Sequence, residues 1–342
     1  MVARVAALLA VTLQGCYYLS QYRGQLAILS ASKSVDEVVA SGKLRAEDAD
    51  TCRFIQEVKK FAEGHVGLKK TENFTTYYDA GTRPVSWSVS ACRKDRFDPY
   101  LWLYPIVGPS RYKGFFEKED ALREQARVAK LGYDTHVSPV TAYSTLGWFK
   151  DPIYSHFLRY SKADLADLII HELVHSTIYV AGDTAYNESL ASFVASVAGE
   201  TFVREKFGAA SAELKEFRGE LADQDRSEGF IDGIFGLLDG IYRSGRAERR
   251  DEAFELIRAE YAAAKGQWNR PRHGAFEGKG VNNAIIMGSR TYFRTDWWRA
   301  VFEHCGRDWK SFLKLAERAG EGRDPFREME KNVPGLAGLT AR

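Results

Sequence analysis

The segment from Leu165 to Glu200 leaves the chain little conformational freedom. Leu165 to Ala181 reads LADLIIHELVHSTIYVA, an apolar helical stretch, and Ser161-Lys-Ala-Asp164 ahead of it has the spacing of a helix N-cap. Gly182 is a natural helix stop, Asp183 or Thr184 a natural N-cap, and the next helix runs from about Ala185 to Glu200. Two helices joined by so short a turn form a tight antiparallel hairpin. The first contains His171-Glu172-Leu173-Val174-His175. Positions i and i+4 share a face, so both imidazoles point at one spot. Glu172 is rotated by about 100° and stands beside that spot. At 1.5 Å per residue, His175 lies about 10 Å before the turn and Glu188 about 7 Å after it, so Glu188 returns to nearly the level of the His pair.

Two neutral nitrogen ligands with an offset carboxylate are what a hydrolytic zinc site needs, the carboxylate acting as base for water. The alternative is two His and a Glu satisfied inside a core. Glu188 is followed by Leu190, Ala191, Phe193 and Val194, the composition of a buried helix. A carboxylate inside such a helix must be paired or bound to metal. Glu188 is therefore the expected third ligand, with a cap or salt bridge as its alternative role.

Outside the hairpin the patterns are mixed. Ser34-Val-Asp-Glu37 has capping-box spacing and opens a helical stretch reaching about Phe61. From Thr75 to about Val107 short β-like runs appear, and Glu117 to Lys130 reads as a helix ending at Gly132. Tyr133 to Leu146 is extended again. Helical periodicity dominates from Lys162 onward, with a looser stretch around Gly266 to Asn283. The expected fold is α+β: residues 1–15 a signal segment, 16–160 a mixed α/β region, and 161–342 a mostly helical region bearing the site. The 342 residues suffice for a real core, and 48 Lys plus Arg against 46 Asp plus Glu leave no concentrated basic face. Nucleic acid is thereby excluded as the main partner.

At the N-terminus, Arg4 precedes an apolar run, Val5 to Leu13, too short to span a bilayer. It ends in Leu13-Gln14-Gly15-Cys16, which resembles a bacterial lipobox. That reading makes Cys16 the lipidated first residue of the mature chain, anchored in a membrane by several acyl chains. A plain secretory signal with a coincidental Cys is the alternative. Tyr17 stands where an inner-membrane retention signal would place Asp, so the expected location is the periplasmic face of the outer membrane. Cys52, Cys92 and Cys305 then allow at most one disulfide, of which Cys52 with Cys92 is the favoured pairing.

HELVH followed on the next helix by Asn187-Glu188-x-x-Ala191-Ser192-Phe193 resembles the gluzincin metallopeptidases, and the latter portion is especially similar to aminopeptidase-N-like enzymes. Three longer stretches resemble a family of bacterial lipoproteins described as predicted aminopeptidases: GCYYLSQYRGQLAIL; YPIVGPSRYKGFF with AYSTLGWFKDP; and HELVHSTIYVAGDTAYNESLASFV. The resemblance implies a zincin-like fold and Zn2+ held by His171, His175 and Glu188, with water in the fourth position. It gives Glu172 the role of proton acceptor from that water and donor to the leaving amine. In aminopeptidase-N-like enzymes a later Tyr hydroxyl stabilises the oxyanion; Tyr292 is the first candidate here and Tyr143 the second, with a core aromatic as the alternative for each. Ser138 to Leu146 is a candidate for the edge strand with which gluzincins align a peptide.

Two departures qualify the likeness. Thermolysin-like sites carry an Asp four residues after the third ligand, where this chain has Ser192. Asp164 and Asp167 lie on the His171 face as substitutes, or serve only as first-turn residues. The G-x-M-E-N strand that holds a substrate amine in aminopeptidase-N-like enzymes is absent. The expected function is thus a zinc metallopeptidase acting on peptides at the cell envelope, an aminopeptidase by family. The alternatives are an endopeptidase or envelope quality-control protease, and a non-catalytic zinc-containing lipoprotein.

Overall fold

The computed structural model describes residues 2–81, 83–104, 108–140, 150–269, 281–290, 295–336 and 339, with the backbone alone at 2–16, 265 and 295. The chain opens with α1 (Val2–Ala31), β1 (Lys33–Ser34), α2 (Val35–Ala40) and α3 (Ala46–Phe61). The helix expected from Ser34 to Phe61 is therefore two helices. Ser34 makes no side-chain cap, because its backbone is drawn into β1 opposite Thr76. At the break, the Ser41 hydroxyl donates back to the Val38 carbonyl at 2.7 Å, a local bond that competes with the helical ladder.

Next come β2 (Thr76–Tyr78), β3 (Ser86–Arg93), β4 (Trp102–Tyr104), β5 (Gly108–Ser110), β6 (Tyr112–Phe115), α4 (Lys118–Ala129), β7 (Tyr133–Val140) and β8 (Ile153–Tyr154). They make three small sheets, ordered β1-β2-β8, β6-β3-β7 and β4-β5. Strand β3 is central in the second, antiparallel to both neighbours, with Trp87 opposite Phe115 on one side and Pro139 on the other. Ala121 and Val128 of α4 close over Val89 and Ala91 of this sheet. Strand β7 lies at its edge, so Ser138 to Val140, the start of the expected aligning segment, is edge backbone. The rest of that segment, 141–146, falls outside the described residues.

The remainder is helical: α5 (Lys162–Thr177), α6 (Thr184–Phe207), α7 (Ala212–Arg243), α8 (Arg250–Ala264), α9 (Asn283–Ser289), α10 (Thr295–His304), α11 (Trp309–Gly320) and α12 (Pro325–Asn332). The fold is α+β with a helical C-terminal half. Helices α5 and α6 occupy the centre of the main core, where Leu165, Ile169 and Leu173 share a cluster with Leu190, Phe193 and Val194. Ile55, Phe217, Trp298 and Phe312 bring α3, α7, α10 and α11 into the same cluster. Such burial on every side explains why α6 carries apolar or small residues all round. Specific polar ties fix the outer helices to it. Trp298 Nε1 donates to Ser189 Oγ at 2.9 Å, and the Tyr186 hydroxyl donates to the Ala316 carbonyl at 2.6 Å.

The expected Cys52–Cys92 disulfide does not form; both are free thiols. Cys52 belongs to the core around α5 and α6, whereas Cys92 sits on β3 with its thiol directed at the Arg96 carbonyl. Burial pushes Cys52 up to about 11 and Cys92 up to about 12, so neither is a ready thiolate. Among the described residues, no helix is long and apolar enough to cross a membrane.

Candidate metal centre

Helix α5 begins as its sequence dictates. Ser161 Oγ accepts from the Asp164 N–H at 3.1 Å, and the Asp164 carboxylate accepts from the Ser161 N–H at 3.4 Å. Its end is earlier than expected, at Thr177 instead of Ala181. The cause lies on the next helix. Asn187 is 3% exposed and grips both backbone groups of Val180, donating to its carbonyl and accepting from its N–H, each at 2.8 Å. That clasp holds the connection off the helical path, and Ile178 is already extended. Gly182 then turns the chain at φ +82°, where a Cβ would stand only 3.0 Å from Pro109 Cδ of β5. Asp183 caps α6 by accepting from the Tyr186 N–H at 2.9 Å.

Because Asn187 immediately precedes Glu188, the clasp also positions the carboxylate. Asn187→Ala would strand the Val180 N–H, its carbonyl keeping the Asp183 N–H at 3.2 Å, and is expected to cost about 2 kcal/mol of stability. It should weaken metal binding by roughly 10–100-fold, the range for lost outer-shell support. Denaturant unfolding in chelator and a metal titration measure the two effects separately.

Three ligand atoms converge between the helices. His171 Nε2 lies 3.2 Å from His175 Nε2, and a Glu188 oxygen lies 3.2 Å from the first and 3.5 Å from the second. The hairpin thus brings together the three residues expected to share a cation, and they form the metal-capable cluster found among the described residues. For ligand bonds of 2.0–2.1 Å in tetrahedral arrangement, ligand atoms must stand about 3.4 Å apart, so the three separations fit one ion. His175 directs Nε2 into the cluster, while its Nδ1, on the far side of the ring, is buried without a hydrogen-bond partner. Two nitrogens and a carboxylate oxygen also match the donor set of hydrolytic zinc sites.

The charges within the cluster are strongly coupled. Burial opposes a charged His171, but the hydrogen bond and charge of Glu188 prevail, with Glu172 and Asp167 adding to them, and its pKa rises to about 9. Burial likewise opposes ionised Glu188, and the two imidazoles overcome it, holding the carboxyl well below its ordinary range. Without an ion, the site retains a proton where a cation would sit. Glu172 is half-buried one position along α5 from His171, and its charge reaches that ring.

Of the two acids considered as partners for His171, Asp164 has its carboxylate engaged at the α5 cap, while Asp167 is the one whose charge reaches the imidazole. Tyr292 and Tyr143 lie outside the described residues. Tyr179, which the sequence reading passed over, is half-exposed, and burial followed by the Glu188 charge pushes its hydroxyl up to about 12. The available signal was its spacing, four residues beyond His175, itself four beyond His171.

A family model described as "Putative aminopeptidase" matches residues 16–330. No curated protein and no solved structure matches the chain.

Proposed function

The chain belongs to the family described as "Putative aminopeptidase", and on that premise we propose that it is a zinc-dependent peptidase of the gluzincin type. The observation that carries the proposal is the approach of two Nε2 atoms and one carboxylate oxygen to within 3.2–3.5 Å of one another, beside Glu172. His171, His175 and Glu188 would hold the ion. When bound, it supplies Lewis-acid chemistry, polarising the scissile carbonyl and acidifying a water. Glu172 Oε accepts the proton of the attacking water and delivers it to the leaving amine nitrogen. His171 contributes as a neutral ligand, so it must first give up the proton that Glu188 secures on it in the metal-free protein.

The carbonyl oxygen gains negative charge during attack and needs a donor. Tyr179 is the candidate among the described residues, because the charge of the ligand Glu188 reaches its hydroxyl. Tyr179→Phe is expected to lower kcat/KM by about 10²-fold with metal content unchanged. An unaltered rate would return the role to Tyr292 or Tyr143.

The family description supports aminopeptidase action, and the chain lacks the G-x-M-E-N strand of aminopeptidase-N-like enzymes. The deciding experiment is metal analysis of the purified chain, together with cleavage of one peptide set in free and N-acetylated forms. An aminopeptidase leaves the acetylated set intact, an endopeptidase cuts both, and a metal-loaded protein that cuts neither overturns the proposal. Location at the envelope rests on the sequence VAALLAVTLQGC alone. Labelled acyl incorporation that survives Cys16→Ser would remove that support.

A further inference from the structure

Helix α1 is pinned along one side. The Tyr17 hydroxyl donates to the Gly114 carbonyl at 3.1 Å, and its ring packs edge-on against Phe115 at 5.6 Å. Two turns further on, Gly24 lies so close to the Phe116 ring that a Cβ could not be accommodated. Gln25 and Ile28 are buried on the same side. The body of the protein therefore grips α1 from Tyr17 onward, and no flexible tether separates that body from Cys16.

The other side of α1 is apolar and open. Tyr18 is 41% exposed, Leu19 50%, Tyr22 58% and Leu26 43%. At 100° per residue these four fall within an arc of about 100°, forming one stripe that the fold does not cover. The same helix runs back through the apolar Val5 to Leu13. Residues 1–35 contain Arg4, Arg23 and Lys33 and no Asp or Glu, the first acid being Asp36. Arg23 and Lys33 are exposed. Tyrosine rings with leucine between them, flanked by cations, suit the headgroup boundary of an anionic bilayer, where an apolar body and a polar tip are both satisfied.

We propose that α1 lies in the surface of an anionic lipid bilayer, with the Tyr18–Leu19–Tyr22–Leu26 stripe at headgroup depth, so that the protein is seated on the membrane in a fixed orientation. This goes beyond the peptidase reading and does not depend on it. It concerns how the chain is held, whether Cys16 is acylated or the preceding apolar run is retained.

The test uses the full chain on vesicles containing phosphatidylglycerol, with a nitroxide placed in turn at Tyr22→Cys, Leu26→Cys and Leu256→Cys. Leu256, 59% exposed on α8, is an apolar control away from α1. The expected result is a several-fold loss of collision with a water-soluble nickel chelate at 22 and 26, a gain of collision with oxygen there, and no change at 256. Labels at 22 and 26 that remain as open to nickel as the control overturn the proposal. Shielding from nickel and oxygen alike also overturns it, since that marks a protein partner or a second copy. Mass analysis of the N-terminal peptide reports acylation independently, so failure of the lipobox reading is distinguishable from failure of the seated helix.

Discussion

Replacing Glu172 by Gln should leave metal uptake intact and lower kcat/KM for peptide hydrolysis by about 10²–10⁴-fold, the range in which a positioned general base contributes. The geometry separates the two properties. Glu172 is adjacent to His171 in sequence but rotated off the face where the ligand atoms converge, and the cluster consists of His171, His175 and Glu188 without it. Gln keeps the size of the side chain and its capacity to hydrogen-bond, so the half-buried position on α5 loses neither packing nor a polar partner. It loses the capacity to take a proton. The charge of Glu172 is also one of the smaller supports of the raised pKa of His171. Its neutralisation should therefore ease the departure of that proton slightly and, if anything, favour metal binding. Equal metal content with an undiminished rate would remove Glu172 from the mechanism. Equal metal content with no turnover in either protein would favour a non-catalytic metal-containing lipoprotein.

The parts of the fold legible in sequence are those governed by local chemistry. The Ser161–Asp164 cap, the apolar period of α5, the Gly182-Asp183 turn and the buried composition after Glu188 each act within a few residues. Together they sufficed to place Glu188 opposite the His pair. Where sequence reading erred, a distant partner decided the outcome. Helix α5 stops at Thr177 because Asn187, on another helix, takes Val180 out of the ladder, and nothing in HSTIYVAG announces that. Ser34 spends its backbone on a strand pairing with Thr76, so the capping box it was suited to form is lost. A count of cysteines could propose Cys52 with Cys92, but only the packing puts one in the α3 core and the other on β3. Tyr179 continues the four-residue spacing of the His pair in sequence, but it lies past the end of α5, and its relevance follows from the Glu188 charge that the hairpin brings near it.

Glu188→Ala is expected to cost more than one ligand atom. Removing a direct ligand should weaken metal binding beyond the roughly 10–100-fold that loss of an outer-shell partner produces. A second effect is visible without any metal. In the wild type, Glu188 is what keeps a proton on His171 up to about 9, against the burial that would otherwise lower it. With the carboxylate gone, burial becomes the dominant influence, and His171 should titrate at or below its ordinary 6.5. Because the folded pKa of His171 is raised, the pair stabilises the metal-free fold fully below 6.5 and progressively less as pH climbs through about 9. The carboxylate side has the opposite sense: its folded pKa is depressed, so its contribution is present above its ordinary 4.5 and fades in acid. The advantage of wild type over the variant in chelator should therefore peak between pH 4.5 and 6.5 and shrink toward pH 9. Zinc added to the wild type at pH 7.5 should expel close to one proton, since a ligating imidazole must be neutral, whereas the variant should expel almost none. Histidine NMR titration in chelator and calorimetry in two buffers of different ionisation enthalpy read these outcomes directly. A variant in which His171 still titrates near 9 would mean that another group holds the proton, and Glu188 would lose its claim to face the ion.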